Sequence, residues 1–219
     1  IVLCLVGSEM CIRDSYGTFR IMHNNTEGTV SYTNLLCIPS SKPFDLFNPD
    51  RKSSLKLYIN RVFITDKCDN LIPAYLRFVK GIVDTQDIDL NVSREMLQNN
   101  PAVAKISKSL VGKILRELKK IADKDKAKYT QFWNEFGQVL KEGLYEDLER
   151  KDTLLELARF SNNENDDLIS LEDYVNTMDK NQKDIYYIAA DTKPQALSSP
   201  HLEGFKSKGI KVLVMADPI

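Results

Sequence analysis

Histidine and cysteine are scarce in this 219-residue chain, and their scarcity limits the metal and redox chemistry that it can support. There are two histidines, His23 and His201, and four cysteines, none of which forms a Cys-x-x-Cys pair. Zinc sites need clustered Cys and His ligands, and disulfide frameworks need several suitably spaced cysteines. The sequence therefore predicts no metal site and no disulfide framework, and it favours a reduced, cytoplasmic protein.

Long apolar runs and an excess of one charge are also missing. No stretch of 18 or more apolar residues occurs, so no membrane span is predicted. Lys and Arg number 30 against 31 Asp and Glu, whereas a dedicated nucleic-acid binder is normally strongly basic. With 42% hydrophobic residues, the chain has enough apolar side chains for a packed core and for one or two domains.

The common catalytic motifs are absent as well. The chain has no GxSxG, HExxH, Walker A or Gly-rich dinucleotide motif in a suitable context. Both histidines are predicted at the surface, His23 in a polar loop and His201 in the first turn of a short helix. Nucleophilic catalysis needs a positioned base, so the sequence does not favour a self-contained hydrolase.

The first fifteen residues, IVLCLVGSEMCIRDS, differ from the rest of the chain. Their apolar run is too short for a secretory signal and has no basic residues before it. The string resembles a translated sequencing adapter. We therefore expect residues 1–15 to be non-native, the natural sequence to resume near Tyr16, and deletion of the segment to leave the melting temperature unchanged.

Hydrophobic periodicity gives the order of elements in the first two thirds of the chain. Alternating apolar residues predict strands over 29–38, 55–65 and 76–83, and residues 39–54 form a loop rich in structure breakers. Apolar residues then recur at helical spacing from Val103 to Ile121 and from Tyr129 to Leu140. Gly143 is predicted to end the second of these helices.

The C-terminal part predicts a parallel strand–helix–strand unit. Ser170 and Asp173 have capping-box spacing, and two continuous apolar runs, 185–190 and 210–215, predict parallel strands around a short helix. The resulting fold class is α/β (α+β). We predict a larger α/β lobe over residues 16–126, a helical connector over 127–167 and a smaller βαβ lobe over 168–219.

Charge is unevenly distributed between two segments. Residues 101–128 hold nine Lys and Arg against three acidic residues, and residues 142–173 hold eleven acidic residues against three basic ones. The basic helix could face an anionic partner, or it could be the solvated side of an amphipathic helix. Its intact apolar positions favour the second interpretation.

The segment around Arg94 has an unusual feature for a helix start. If Ser93 caps a helix, Arg94 stands in the first turn, where a cation opposes the helix dipole. The same place attracts anions, and a guanidinium suits phosphate oxygens. Gln98 lies one turn later on the same face. The local alternative is an ion pair of Arg94 with Asp87 or Asp89, which the physics alone slightly favours.

The loop at residues 43–49 carries three large apolar residues between two prolines. Phe44, Leu46 and Phe47 lie in a segment too short and too broken for a helix or a central strand. We predict that all three are partly exposed and form an apolar patch. The alternative is a loop that folds back to cover the edge of the sheet.

Much of the sequence resembles the middle domain of the heat shock protein 90 chaperones, and it is more similar to the bacterial branch than to the organelle forms. The resemblance extends over nearly everything after Tyr16. It rests on the strings YTNLLCIP, PFDLF, LKLYINRVFITD, PAYLRFVKGIVD, LNVSREMLQ, FWNEFGQVLKEG, SLEDYVNTM, IYYIA, SPHLE and VLVMADPI.

The resemblance implies a parent protein that is an ATP-driven, homodimeric chaperone. An N-terminal domain would bind ATP and Mg²⁺, and a C-terminal domain would dimerise. Arg94 falls on the family arginine that holds the γ-phosphate, and Gln98 on the glutamine one turn later. Phe63 falls on a family position that shapes the surroundings of the family's catalytic loop. A role for Phe63 in core packing is an equal alternative.

The resemblance also implies what the chain does by itself. The middle domain contacts unfolded client proteins, with Phe44, Leu46 and Phe47 as the candidate residues. This chain matches only the middle domain, so we expect it to be folded and monomeric, to bind no cofactor alone and to hydrolyse no ATP. The alternative function is a non-catalytic scaffold that binds proteins through the basic helix and the PFDLF loop.

Overall fold

The structure is a computed structural model, and it describes residues 17–48, 54–66, 68, 70–89, 97, 100–165, 167–178 and 182–216. Residues 1–15, predicted to be non-native, lie outside the described residues. So do Ser93, Arg94 and Gln98, so the helix start predicted at Ser93 is not described either.

A mixed sheet forms the first lobe, and in the described residues it has five strands. They are β1 (Thr18–Thr26), β2 (Tyr32–Pro39), β3 (Ser54–Ile59), β4 (Val62–Thr65) and β5 (Lys80–Thr85). The spatial order is β1-β2-β5-β3-β4, in which only the β3–β5 pair is parallel. The predicted strands at 29–38 and 76–83 correspond to β2 and β5, although a 3₁₀ turn (Ala74–Leu76) precedes β5.

The prediction of a single long strand over 55–65 is wrong, because this segment is a β-hairpin. Ile59 pairs with Val62 across a two-residue turn. Asn60 and Arg61 have φ values of 49° and 69°, the left-handed conformation that a type I′ turn needs at both central positions. Asparagine tolerates this conformation better than most residues, and it was the available signal for the turn.

The prediction that His23 lies in a polar loop is also wrong, because this residue lies in β1. The strand pairs with β2 from Thr18 to Thr26, and His23 stands opposite Leu35. The side chain of His23 is exposed. β1 is an edge strand, and one of its faces is uncovered, so polar residues can occupy it without disturbing the core.

Three helices form the layer beside the large sheet: α1 (Pro101–Lys124), α2 (Lys126–Glu146) and α3 (Lys151–Leu157). Asn100 caps α1 by accepting the Ala102 N–H at 2.8 Å, and Pro101 takes the first position, where its missing N–H costs nothing. The predicted apolar faces of α1 and α2 are buried and form one continuous core with β2, β3 and β5. Helical periodicity therefore predicted the core-facing residues correctly.

Gly143 does not end a helix, contrary to the prediction. It lies inside α2, which continues to Glu146. A Cβ at this position would come within 2.9 Å of Leu154 and of the Tyr75 ring. The glycine is needed for close packing between α2, α3 and the 3₁₀ turn before β5, which the sequence pattern does not reveal.

The second lobe contains a small sheet and short helices. Its strands and helices are β6 (Ser161–Asn162), α4 (Leu171–Asn176), β7 (Tyr187–Ala189), α5 (Lys193–Leu197), α6 (Glu203–Lys206) and β8 (Leu213–Met215). The order is β6-β8-β7, and β7 runs parallel to β8, as predicted. The Ser170 hydroxyl accepts the Asp173 N–H at 2.9 Å, which confirms the predicted cap of α4.

The strand predicted over 185–190 is present as β7, but it is shorter than the apolar run. β7 is an edge strand of the small sheet, and Ile185 and Tyr187 are 43% and 64% exposed. A continuous apolar run cannot by itself distinguish a central strand from an edge strand with an open face. β8, by contrast, is the central strand, and Leu213 and Val214 are buried.

Candidate functional site

The segment that carries Arg94 and Gln98 is held at both ends by buried residues. Arg94 and Gln98 themselves lie outside the described residues. On either side of Arg94, Ile88 and Leu97 are 3% and 2% exposed, and both belong to the main core. Asn100, which caps α1, donates its N–H to the Leu97 carbonyl at 3.3 Å. The segment therefore joins the end of the large sheet to the start of α1.

The chain leaves the sheet at the edge where the parallel strands β3 and β5 end. Thr85, the last residue of β5, accepts the Asn60 N–H at 3.0 Å and donates its hydroxyl to the Ser31 carbonyl at 2.9 Å. The Asp87 carboxylate accepts the Ser31 N–H at 2.5 Å. Residues up to Asp87 are thus fixed to the β1–β2 turn, and the Arg94 segment departs from a rigid base.

Phe63 lies on the open face of the sheet, so core packing does not explain it. Its side chain is 52% exposed, and the neighbouring Val62 is 50% exposed. The Phe63 ring meets the Tyr58 ring edge-on, with 5.6 Å between centroids. Arg61 fixes the turn of this hairpin by donating its N–H to the Asp84 carboxylate at 3.1 Å. This aromatic pair, of which Phe63 is exposed and Tyr58 half-buried, stands at the same end of the sheet as the start of the Arg94 segment.

The loop after β2 divides its three apolar residues between surface and core. Phe44 is fully exposed and Phe47 is 46% exposed, as predicted. Leu46 is 0% exposed, so the prediction for this residue is wrong: its side chain is part of the main core. Turn bonds from Leu46 to the Pro43 carbonyl and from Asn48 to the Asp45 carbonyl, both 3.1 Å, curl the loop so that Pro43 and Leu46, three residues apart, face the core while Phe44 and Phe47 face outward.

Arg77 and Glu142 fix this loop to helix α2. The Arg77 Nε donates to the Leu46 carbonyl at 2.9 Å, and its two terminal nitrogens bind both carboxylate oxygens of Glu142. At the start of the loop, the Lys42 N–H donates to the Glu135 carboxylate at 2.8 Å. Because the loop is held at both ends, the exposed Phe44 and Phe47 rings are presented on an ordered support. Sequence reasoning missed Arg77 and Glu142, which are 65 residues apart and form no local pattern.

The basic and acidic segments noted in the sequence are neighbours in the fold. Lysines of α1 and the start of α2 bind carboxylates that follow α2: Lys108 with Glu149 at 3.0 Å, Lys119 with Glu156, and Lys126 with Asp173 at 3.1 Å. Hydrogen bonds from Lys126 and Ser170 lower the pKa of Asp173. These pairs favour the amphipathic-helix interpretation of the basic segment over an extended anion-binding face.

Other candidate chemistry is sparse in the part of the chain that the structure describes. No group of three or more His, Cys, Asp and Glu side chains there could hold a metal ion. Among the described residues, no helix is long and apolar enough to cross a membrane. Cys37 and Cys68 are buried and form no disulfide bond with each other. Burial raises the pKa of the Cys37 thiol.

Comparison with known proteins decides the family. The family model described as "Hsp90 protein" matches residues 9–219. The chain belongs to the Hsp90 family. Its matched range includes residues 9–15, so the proposed non-native origin of residues 1–15 stays a prediction.

Bacterial relatives in the Hsp90 family match most of this chain. It is 56% identical over 198 residues to the chaperone protein HtpG of Paramagnetospirillum magneticum and 54% identical over 202 residues to that of Ehrlichia ruminantium (strain Welgevonden). These matches cover 90% and 91% of this chain but 32% of each relative. The chain therefore spans about a third of the length of these chaperones.

A solved Hsp90-family structure gives the position of that third. The middle domain of a Plasmodium falciparum heat shock protein superposes with a TM-score of 0.81 at 32% identity, covering 97% of this chain and 83% of the other. This chain thus corresponds to an Hsp90 middle domain, and the α/β fold class predicted from the sequence is confirmed.

Proposed function

We propose that this chain acts as the middle domain of an ATP-dependent chaperone and contacts partly unfolded client proteins through Phe44 and Phe47. The observation that carries the client role is the exposure of both rings on a loop fixed by Arg77 and Glu142. Single exposed apolar residues are ordinary, whereas larger exposed apolar patches are uncommon and typically mark contact sites.

The energetics suit weak, broad binding. Burying one aromatic side chain against a partner contributes roughly 1.5–3 kcal/mol. Two adjacent rings can therefore retain an apolar client segment without fixing its sequence. Since the supporting loop is already ordered, little conformational entropy is lost on binding.

The second part of the proposal concerns the ATPase of the parent protein. ATP and Mg²⁺, held by the N-terminal domain, would supply the transferable phosphoryl group and the charge-neutralising metal. Arg94 would donate to the γ-phosphate, because a guanidinium matches phosphate oxygens and stabilises the charge of the transition state. Gln98, one turn later, would add a neutral hydrogen bond.

The parent's organisation follows from the same proposal. Its partners would be its own N-terminal ATPase domain, its C-terminal dimerisation domain and unfolded clients, in a cytoplasmic homodimer that uses neither nucleic acid nor membrane. Within this chain we keep the division into residues 16–126, 127–167 and 168–219. Alone, the chain would bind no cofactor and hydrolyse no ATP.

One experiment separates this function from that of a non-catalytic scaffold. ATP turnover is measured for the N-terminal domain of the HtpG relative from Paramagnetospirillum magneticum, made separately, with and without this chain. Stimulation by this chain, and none by its Arg94→Ala variant, supports the ATPase role. Turnover that is unaffected by the chain, together with retained client binding, would favour the scaffold.

A further inference from the structure

A cavity of about 390 Å³ lies between the β1–β2 turn and helix α1, and the loop that carries Phe44 and Phe47 does not line it. This volume falls within the range of small-ligand pockets. Its lining includes hydroxyl groups, a lysine and a glycine-containing turn. The lining residues used below are Thr26, Gly28, Thr29, Tyr32, Lys105 and Ser109.

The donors around this cavity suit an anion with several oxygens. Lys105 has no ion-pair partner in the described part of the chain, unlike Lys108 one turn later, which pairs with Glu149. The backbone N–H groups of Gly28 and Thr29 donate to no other group among the described residues. Adjacent free N–H groups beside a cation are a common arrangement for phosphate recognition.

A second lysine stands behind the cavity wall. The Lys113 ammonium contacts the Thr26 hydroxyl and lies 4.8 Å from the centre of the Tyr32 ring. The Tyr32 hydroxyl donates to Ser109 at 2.7 Å. The interface between sheet and helix is therefore polar and cationic here, whereas farther along β2 it is filled by Leu36 and Ile38.

A buried amide next to this region is unsatisfied. Asn34 is 1% exposed, and neither of its side-chain polar atoms has a hydrogen-bond partner in the described part of the chain. Because strand residues two apart share a face, Asn34 lies on the helix-facing side with Tyr32. Buried polar groups are normally satisfied, so this amide is an exception within the sheet–helix interface, although Asn34 is not among the residues that line the cavity.

The two carboxylates near this turn, Glu27 and Asp87, are not among the described residues that line the cavity. Glu27 accepts from the Asn25 amide at 3.3 Å, and Asp87 accepts the Ser31 N–H at 2.5 Å. Each acidic group is therefore engaged in the local structure of the turn. Lys105 is the charged residue among the described lining residues, and Lys113, bound to the lining residue Thr26, adds a second positive charge beside the cavity.

We propose that this cavity binds a phosphate group, either as the free ion or as part of a small phosphate monoester. Lys105 and the Gly28 and Thr29 N–H groups contact the phosphate oxygens, and Lys113 adds positive charge from behind. The site is separate from the proposed roles of Arg94 and of the Phe44–Phe47 loop, and it does not depend on either of them.

The test is a titration of the ¹⁵N-labelled full chain with inorganic phosphate at constant ionic strength, followed by amide chemical shifts. We expect saturable shifts centred on Gly28, Thr29, Lys105 and Ser109. Lys105→Gln should weaken binding about tenfold, the loss expected for one charge-assisted hydrogen bond. Lys108→Gln, the same change one turn away, is the matched control and should leave binding unchanged.

A parallel titration with glycerol 3-phosphate distinguishes the two sources of the ligand. Equal affinities identify free phosphate, tighter binding of glycerol 3-phosphate identifies a monoester, and both results support the site. Shifts that spread over the basic surface without saturating would overturn the proposal. So would an equal loss of affinity in Lys105→Gln and Lys108→Gln.

Discussion

Arg77 and Glu142 form a two-pronged ion pair that fixes the loop after β2 to helix α2, while the Arg77 Nε holds the Leu46 carbonyl at 2.9 Å. The Arg77 side chain is 14% exposed, and that of Glu142 is 31% exposed. The pair is thus partly shielded from water, and its loss leaves a carboxylate and a backbone carbonyl without donors.

We therefore expect Arg77→Ala to lower the free energy of unfolding by about 2 kcal/mol, between the values typical of surface and buried pairs. Lys108→Ala removes the ion pair between Lys108 and Glu149, whose two side chains are 70% and 68% exposed. This change should lower the free energy of unfolding by less than about 0.5 kcal/mol. Urea denaturation measures both variants. Equal effects would show that the Arg77 pair adds nothing beyond a surface interaction.

The division of the loop between surface and core predicts opposite results for neighbouring residues. Phe44→Ser removes a fully exposed ring, so it should change stability by less than about 0.5 kcal/mol and weaken client binding. Leu46→Ala opens a cavity in the core and should cost about 2–5 kcal/mol. Thermal or urea unfolding, together with binding of an unfolded model client, checks the pair. A large stability loss in Phe44→Ser would refute the exposed position of this ring.

Two helical glycines provide a matched test of packing. Gly112→Ala adds a methyl group to α1, where no atom beyond the adjoining residues and the local helix backbone lies within 4 Å, and should raise stability by about 0.5–1 kcal/mol through helix propensity. Gly143→Ala makes the same change in α2 but pushes against Leu154 and Tyr75. It should lower stability by about 1 kcal/mol, since overpacking outweighs propensity. If both variants were stabilised in urea denaturation, the close packing around Gly143 would be disproved.

The unsatisfied amide of Asn34 predicts a stabilising substitution. Asn34→Leu keeps four side-chain heavy atoms branched at Cγ and removes two buried polar atoms without partners, so we expect a gain of about 1 kcal/mol. Asn24→Leu, at the paired position on β1, is the control and should give a smaller change because Asn24 is only partly buried. A clear loss of stability in Asn34→Leu would indicate that the amide is satisfied in solution.

The sequence predicted the parts of this fold that depend on local periodicity. The apolar stripes of α1 and α2, the Ser170 cap and the parallel pairing of β7 with β8 were all predicted correctly. Each follows from residues close together in the chain. Helical spacing fixes which side faces the core, and a cap involves only one turn.

The errors concern contacts between distant residues. Leu46 is buried because Arg77 and Glu142 hold its loop, and Gly143 lies within a helix because Tyr75 and Leu154 pack against it. The hairpin at Asn60 and Arg61 was missed because the apolar alternation continues on both sides of the turn. The family resemblance predicted the candidate site at Arg94 and Gln98, whereas local physics left its role open.

The catalytic role of Arg94 is the claim on which the proposed function depends most, and turnover by the full-length parent tests it. Arg94→Ala should leave folding and ATP affinity nearly unchanged, because most nucleotide contacts would lie in the N-terminal domain. Arg94→Lys should rescue activity poorly, since an ammonium lacks the planar pair of donors. Gln98→Ala should show a smaller defect, as a neutral hydrogen bond is weaker than a charged one.

The decisive measurement is kcat for ATP hydrolysis by the full-length parent and its Arg94→Ala variant, at saturating ATP and Mg²⁺. We expect a fall of at least about tenfold in kcat with little change in ATP affinity, because the proposed contact would form in the reacting state. An unchanged kcat in the Arg94→Ala variant would contradict it.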